Sequence, residues 1–213
     1  MGKYKNGING SFSGKIGTVV GASSRGVAYM RSVPDVRVDK PTPAQQNHRD
    51  KFGMVSSWFK PLKSTLEVGM QHHTGIKTPM NLAISLNFKN AVIVEEQGAR
   101  LDFPKIVLSI GSLFISIISE VTILASRKLS IRWTDAGPSI FCNGNDKATF
   151  VFYNEHNNKY LTFTGVSDRA DQQTMIELPS SFTGGLVHCW MQYVNAKGDE
   201  VSTTVYVAAI EFN

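Results

Sequence analysis

The chain has 213 residues, 42% hydrophobic and 18% charged, the composition of a folded globular protein rather than of a disordered or fibrous one. That length suits one large domain or two small ones. The net charge of +5 is unevenly placed: residues 1–60 hold ten Lys/Arg against three Asp/Glu, and the remainder holds twelve against fourteen.

A basic N-terminal portion can meet nucleic acid, an acidic partner or an acidic patch on a sister subunit; it can equally be a solvated face. The start, MGKYKNGINGSFSG, has no apolar segment of the kind a secretory leader needs, so the expected site of synthesis and residence is the cytoplasm, with release only as part of a particle.

The glycine-rich stretch 10–31, GSFSGKIGTVVGASSRGVAYMR, raises the question of a phosphate loop. A P-loop needs Gly, four residues, then Gly-Lys-Ser/Thr. Here Gly14-Lys15 is followed by Ile16, and Asn9 stands where the first glycine belongs. Gly21 and Gly26 are likewise too far apart for a dinucleotide fingerprint. Residues 15–20 and 27–31 are β-prone runs around the turn-like GASSRG, which predicts a β-hairpin arm. Lys3, Lys5, Lys15, Arg25, Arg31 and Arg37 are then the candidates for contact with nucleic acid or a neighbouring subunit.

Residues 32–43, SVPDVRVDKPTP, carry three prolines and read as an extended connector. Thr42, Pro43 and Gln45 form a helix start signal. Phe52, Val55, Phe59, Leu62 and Leu66 recur at spacings of three and four, one apolar stripe that Pro61 must kink or break. Thr78-Pro79 opens a second helix ahead of Met80, Leu82, Ala83, Leu86 and Phe88. Between the two, His72 and His73 read as exposed loop residues. The apolar run at 106–118, IVLSIGSLFISII, is too short for a membrane helix and suggests buried or self-associating strand.

Further on, the pattern is all-β. Strands are expected at 129–133, 147–154, 159–165, 174–178, 186–195 and 201–212, with polar turns at 155–158 and 196–199. LSIRWTD, KATFVFYN, TMIELP and LVHCWMQYVNAKGDEVS resemble successive strands of a fibronectin type III-like sandwich. That resemblance implies a core tryptophan at Trp133, with Val187, Cys189 and Met191 as core positions. The chain as a whole is similar to a family of bacterial proteins of about this length that carry only a domain-of-unknown-function label. The similarity rests on NGINGSFSGKIGTVVGASSRGVAYMRSVP, TPAQQNHRDKF and the C-terminal strands. The segment TPAQQ with Arg49 and Phe52 also resembles a connector and helix of phage structural proteins.

Catalytic groups are sparse. No Gly-x-Ser-x-Gly occurs, and Glu95-Glu96 are neighbours that a strand would point to opposite sides. Asp168, Arg169 and Asp171 read as a surface loop, since the dense ligand spacing of a calcium site is missing. His48 and His188 have no evident Ser or Cys partner. Cys142 and Cys189 fit no zinc or redox spacing, and two buried or unpaired thiols are favoured over a disulfide.

The expected architecture is mainly β with a helical segment. It comprises an N-terminal hairpin arm and connector (1–40), two or three helices (41–100) and an immunoglobulin/fibronectin III-like sandwich (101–213). The expected function is a non-enzymatic structural protein, without cofactor, that self-assembles into a phage-like shell, tube or filament. The alternatives are a monomeric module binding glycan or protein through loops 139–146 or 167–173, where Phe141 is the exposed aromatic candidate, and a nucleic-acid-binding protein. The last is weakened because only Tyr4, Phe12 and Tyr29 are interleaved with the basic residues.

Overall fold

The computed structural model describes residues 2–3, 10–24, 26–35, 39–72, 77–95, 98–125, 127–135, 137, 139–182 and 184–212. The chain is mainly β, with one long helix and several sheets. It divides into two compact units, Met1–Thr42 and Pro43–Asn213.

In the first unit β1 (Gly2–Lys3), β2 (Gly14–Ile16), β3 (Val19–Ser24) and β4 (Val27–Ser32) form one antiparallel sheet in the order β1-β4-β3-β2. The expected hairpin is present as β3 and β4, within a larger sheet, and β3 extends through most of the stretch read as its turn. Gly17, at φ +59°, reverses the chain between Ile16 and Val19 and splits the run read as one strand. Gly21, read as part of the turn, lies inside β3; a Cβ there would sit 2.5 Å from Phe12, so only glycine lets the two segments meet.

The second unit begins with α1 (Pro43–Phe59). Pro61 falls in a 3₁₀ turn, Lys60–Leu62, and α2 (Lys63–Gly69) resumes. Proline removes a backbone donor and crowds the preceding turn, so the helix breaks there. Val55, Phe59, Leu62 and Leu66 are buried as one stripe, while Phe52 stays 50% exposed. Helix α3 (Pro79–Asn90) starts on Thr78, whose hydroxyl accepts from the Asn81 N–H at 3.2 Å. A two-stranded ribbon, β5 (Val92–Glu95) and β6 (Gly98–Leu101), follows.

The apolar run at 106–118 is mostly irregular up to residue 116, where β7 (Ile117–Ala125) begins. Its backbone is held by distant side chains and by single backbone bonds to Gly69, Phe141, Val201 and Thr204 instead of a continuous ladder. The buried Asn87 amide donates to Val107 O at 2.8 Å and its oxygen accepts from the Val107 N–H at 2.8 Å. Thr204 Oγ1 accepts from the N–H groups of Leu108 and Ser109 at 3.1 and 2.6 Å. These bonds satisfy backbone groups that burial would otherwise leave unpaired. At Gly111 the chain passes so close to Val201 that a Cβ would lie 1.9 Å from its carbonyl oxygen.

The remaining strands are β8 (Lys128–Thr134), β9 (Lys147–Asn154), β10 (Lys159–Asp168), β11 (Gln173–Glu177), β12 (Leu186–Val194) and β13 (Val205–Glu211). One sheet runs β11-β8-β7 and the other β10-β9-β12-β13, all neighbours antiparallel. Inward residues of both sheets, including Trp133, Phe150, Val187, Cys189, Met191 and Tyr193, share one apolar cluster. A second cluster lies on the opposite face of the four-stranded sheet, where Val151, Tyr153 and Trp190 pack against Val55, Trp58, Phe59 and Leu66. Strands β9 and β12 are therefore buried on both faces. Residues 41–100 and 101–213 belong to one unit, so the expected boundary near residue 100 does not separate two bodies. Cys142 and Cys189 are both buried free thiols.

Candidate functional site

The first unit has almost no interior. Among its described residues only Gly21 is buried, and Ile16, on the outer strand, is 63% exposed. A sheet normally buries one face against another element. The register explains what this one presents. Lys15, Val20 and Arg31 lie in one cross-strand row, and directly opposed residues share a face. Ile16 and Val19 lie in the next row and point to the other face, as does Met30 beyond them. One face thus carries Lys15 and Arg31 beside Val20, and the other carries Ile16, Val19 and Met30.

Of the six basic residues singled out from sequence, Lys15 and Arg31 share one face and are exposed. Lys3 lies on β1 opposite Tyr29. Lys5, Arg25 and Arg37 fall outside the described residues. Residues 1–42 carry seven Lys/Arg against two Asp/Glu, the whole net charge of the chain, and residues 43–213 balance to zero. Among the described residues strand β2 pairs with β3 alone, which leaves its other edge open.

In the second unit, among the described residues, β7 and β13 each pair on one side only. Between them runs a groove of about 550 Å³ lined by Ile115, Ile118, Val121, Val205 and Val207, with Glu120 on its rim. Ile117, Ile123 and Leu124 on β7 are exposed. An open edge beside exposed apolar side chains is a template for strand pairing.

The loops proposed for recognition are tied down. Arg169, expected at the surface, is 1% exposed; its Nε donates to the fully buried Asp146 at 3.1 Å and its Nη2 to Phe114 O at 2.6 Å. The guanidinium carbon stands 3.8 Å over the Tyr193 ring, and Nη1 reaches Asp135 at 3.4 Å. Asp168 and Asp171 cap the short helical turn that carries Arg169, through reciprocal bonds between side chain and backbone. Phe141 is exposed, as expected, and packs on Phe114, also exposed, with ring centroids 5.7 Å apart.

No group of His, Cys, Asp and Glu able to hold a metal occurs among the described residues. His72 is exposed and contacts the Asp199 carbonyl, while His73 lies outside the described residues. His188 is buried between Tyr206, at 2.8 Å from its Nδ1, and Glu155, and burial lowers its pKa against the opposing pull of Glu155. Burial also raises the Cys189 thiol, which suits a core residue rather than a nucleophile. No described helix is long and apolar enough to cross a membrane.

Comparison with curated proteins finds no match. The profile of one family matches residues 11–208, from the N-terminal sheet into the last strand. The chain belongs to that family, a family of unknown function designated DUF6266.

Proposed function

We propose that the protein is a non-enzymatic structural subunit that self-assembles into a large homo-oligomer, a phage-like shell, tube or filament. The observation that carries this reading is the N-terminal sheet, which sets Lys15 and Arg31 on one face and Ile16, Val19 and Met30 on the other, and among the described residues has an open edge at β2 and almost no core of its own. Such a sheet gains stability by adding to another chain, as in strand-addition complexes. The natural acceptor is the groove between β7 and β13 of a second copy, where two open edges flank an apolar seam and Glu120 can face Lys15. Head-to-tail contacts of this kind build rings or filaments according to the rotation they impose.

The strand order supports a fibronectin type III-like sandwich as the scaffold of the body. Counting from β7, the first, second and fifth strands form one sheet, and the third, fourth, sixth and seventh form the other. The immunoglobulin constant arrangement differs only in placing the fourth strand with the first sheet. The face of Lys15 and Arg31 is the part that would meet nucleic acid or an acidic surface if the particle encloses either.

Light scattering and negative-stain microscopy on the full chain, beside a chain lacking residues 1–42, test this. Regular particles that disappear with the deletion are the expected result. A monodisperse monomer for the full chain, at high concentration and across a range of salt, would overturn it.

A further inference from the structure

Strand β10 turns a row of side chains, Tyr160, Thr162 and Thr164, toward the helices, and two clefts open along it. The first, about 380 Å³, has an aromatic wall of Trp58, Phe103, Tyr153 and Tyr160, with Arg100 and Asn158 at its margin. The second, about 360 Å³, is lined by Ser64, Thr65, Thr149, Thr162, Thr164 and Gln192 together with Val68 and Val194, with no charged residue among them. The break at Pro61 puts α1 over the first cleft and α2 over the second.

Each cleft holds a buried polar atom that the fold leaves unused. Gln192 is 2% exposed and its Oε1 accepts no hydrogen bond. Trp58 is 6% exposed, and its indole N–H lies near the Tyr153 phenol without making a hydrogen bond of normal geometry. Buried polar atoms are almost always paired, and of the six left unpaired among the described residues these two belong to residues that line the clefts. The Thr65 and Thr162 hydroxyls, 3.5 Å apart in the second cleft, make only a long bond that a guest hydroxyl can replace. Beyond Thr164 the ladder between β10 and β9 is interrupted, with Gly165 at φ +62° donating to Thr149 Oγ1 at 3.3 Å; bulges of this sort recur beside binding sites.

We infer that the Tyr160–Thr162–Thr164 row is the floor of a binding groove for a neutral oligosaccharide, with sugar rings against the half-buried Tyr160 and Phe103 and hydroxyls on Trp58 Nε1, the threonines and Gln192 Oε1. The chemistry selects this class. Aromatic walls take the C–H faces of a pyranose and uncharged hydroxyl and amide groups match its hydroxyls, while Arg100, the charged residue lining the first cleft, is neutralised by Glu95. From Tyr160 to Thr164 the strand spans roughly 13 Å, the length of a short oligosaccharide.

The full-length protein is followed by two-dimensional NMR during titration with cellotriose, maltotriose and chitotriose, and in parallel with a proline-rich peptide. At least one trisaccharide, at millimolar concentration, should shift the Trp58 indole and Gln192 side-chain amide resonances together. Gln192→Leu should weaken that binding about tenfold, the loss of one hydrogen bond, and should leave the melting temperature equal or higher because a buried unpaired acceptor is gone. Three silent trisaccharides would overturn the proposal, as would a response to the peptide alone. So would a high-resolution crystal structure in which an ordered water fully occupies Gln192 Oε1 and the trisaccharide-soaked groove stays empty. A Gln192→Leu chain that melts lower yet binds as well would assign the residue to packing instead.

Discussion

Arg169→Ala tests how the second unit is held together. The guanidinium, 1% exposed, is the partner of Asp146, which is fully buried, and it also ties Phe114 O at the approach to β7. Without it the Asp146 carboxylate keeps only the Asn143 N–H at 3.1 Å, since its Oδ1 has no partner at all. Breaking a buried pair from one side typically costs about 3–5 kcal/mol, because the remaining charge stays in low dielectric. The lost contact over Tyr193 lies within that figure rather than on top of it, as neighbouring contributions do not add. For a unit of this size a loss of about 4 kcal/mol lowers the melting temperature by roughly 8–16 °C. Urea denaturation and calorimetry on the wild-type chain, Arg169→Ala, and Arg169→Met combined with Asp146→Leu measure it. The double variant should recover at least half of the loss, since an apolar pair removes the stranded charge. A single-variant cost below about 1 kcal/mol, the scale of an exposed pair, would refute the reasoning. Simple additivity in the double variant would refute it equally.

Other outcomes follow from single contacts. Gly111→Ala drives a methyl into the Val201 carbonyl and should destabilise by about 3 kcal/mol, read from the urea midpoint; a neutral result would mean that the two segments separate freely. His188 has a folded pKa below its ordinary 6.5, mainly through burial. The unfolded chain therefore binds more protons as pH falls past 6.5 and through the folded value, and stability is lost in that window while it is fully present above it. Unfolding free energies at about pH 7.5 and about pH 5.5 should differ in the wild type and converge in His188→Gln. Lys15→Glu with Arg31→Glu reverses the basic row at two exposed positions, so it should leave circular dichroism unchanged and abolish sedimentation of assemblies. Unaltered sedimentation would remove that face from the contact.

Local chemistry was legible and distant chemistry was not. Pro61 and Thr78-Pro79 placed a helix break and a helix start because each acts on its own turn, and the run at 147–154 reads as the strand it is. The run at 106–118 misled because its order comes from Asn87 and Thr204, residues remote in sequence that replace a ladder with side-chain bonds. The four-residue strands β5 and β6 offered too short a pattern to detect. In the N-terminal sheet the excess of basic residues was plain. The row that aligns Lys15 with Arg31 was hidden, because it depends on a reversal at Gly17 and on Phe12 lying against Gly21.

The same rule bears on the groove. Alternation along β12 set Val187, Cys189, Met191 and Tyr193 on one side and left His188 and Gln192 looking like the wet face of a half-buried strand. The helices bury that face too, yet they cover it unevenly. His188 bonds Tyr206 through Nδ1 while its Nε2 stands 3.6 Å from Glu155 without a hydrogen bond, and the Gln192 oxygen has no partner among the described residues. A polar residue on a covered face must either be satisfied by the covering element or be left for something else. Sequence periodicity registers only that the residue is polar. The distinction between a buried structural amide such as Asn87 and an unspent one such as Gln192 exists only after the helices are in place, and that is why the oligosaccharide groove has no signature in the linear chain.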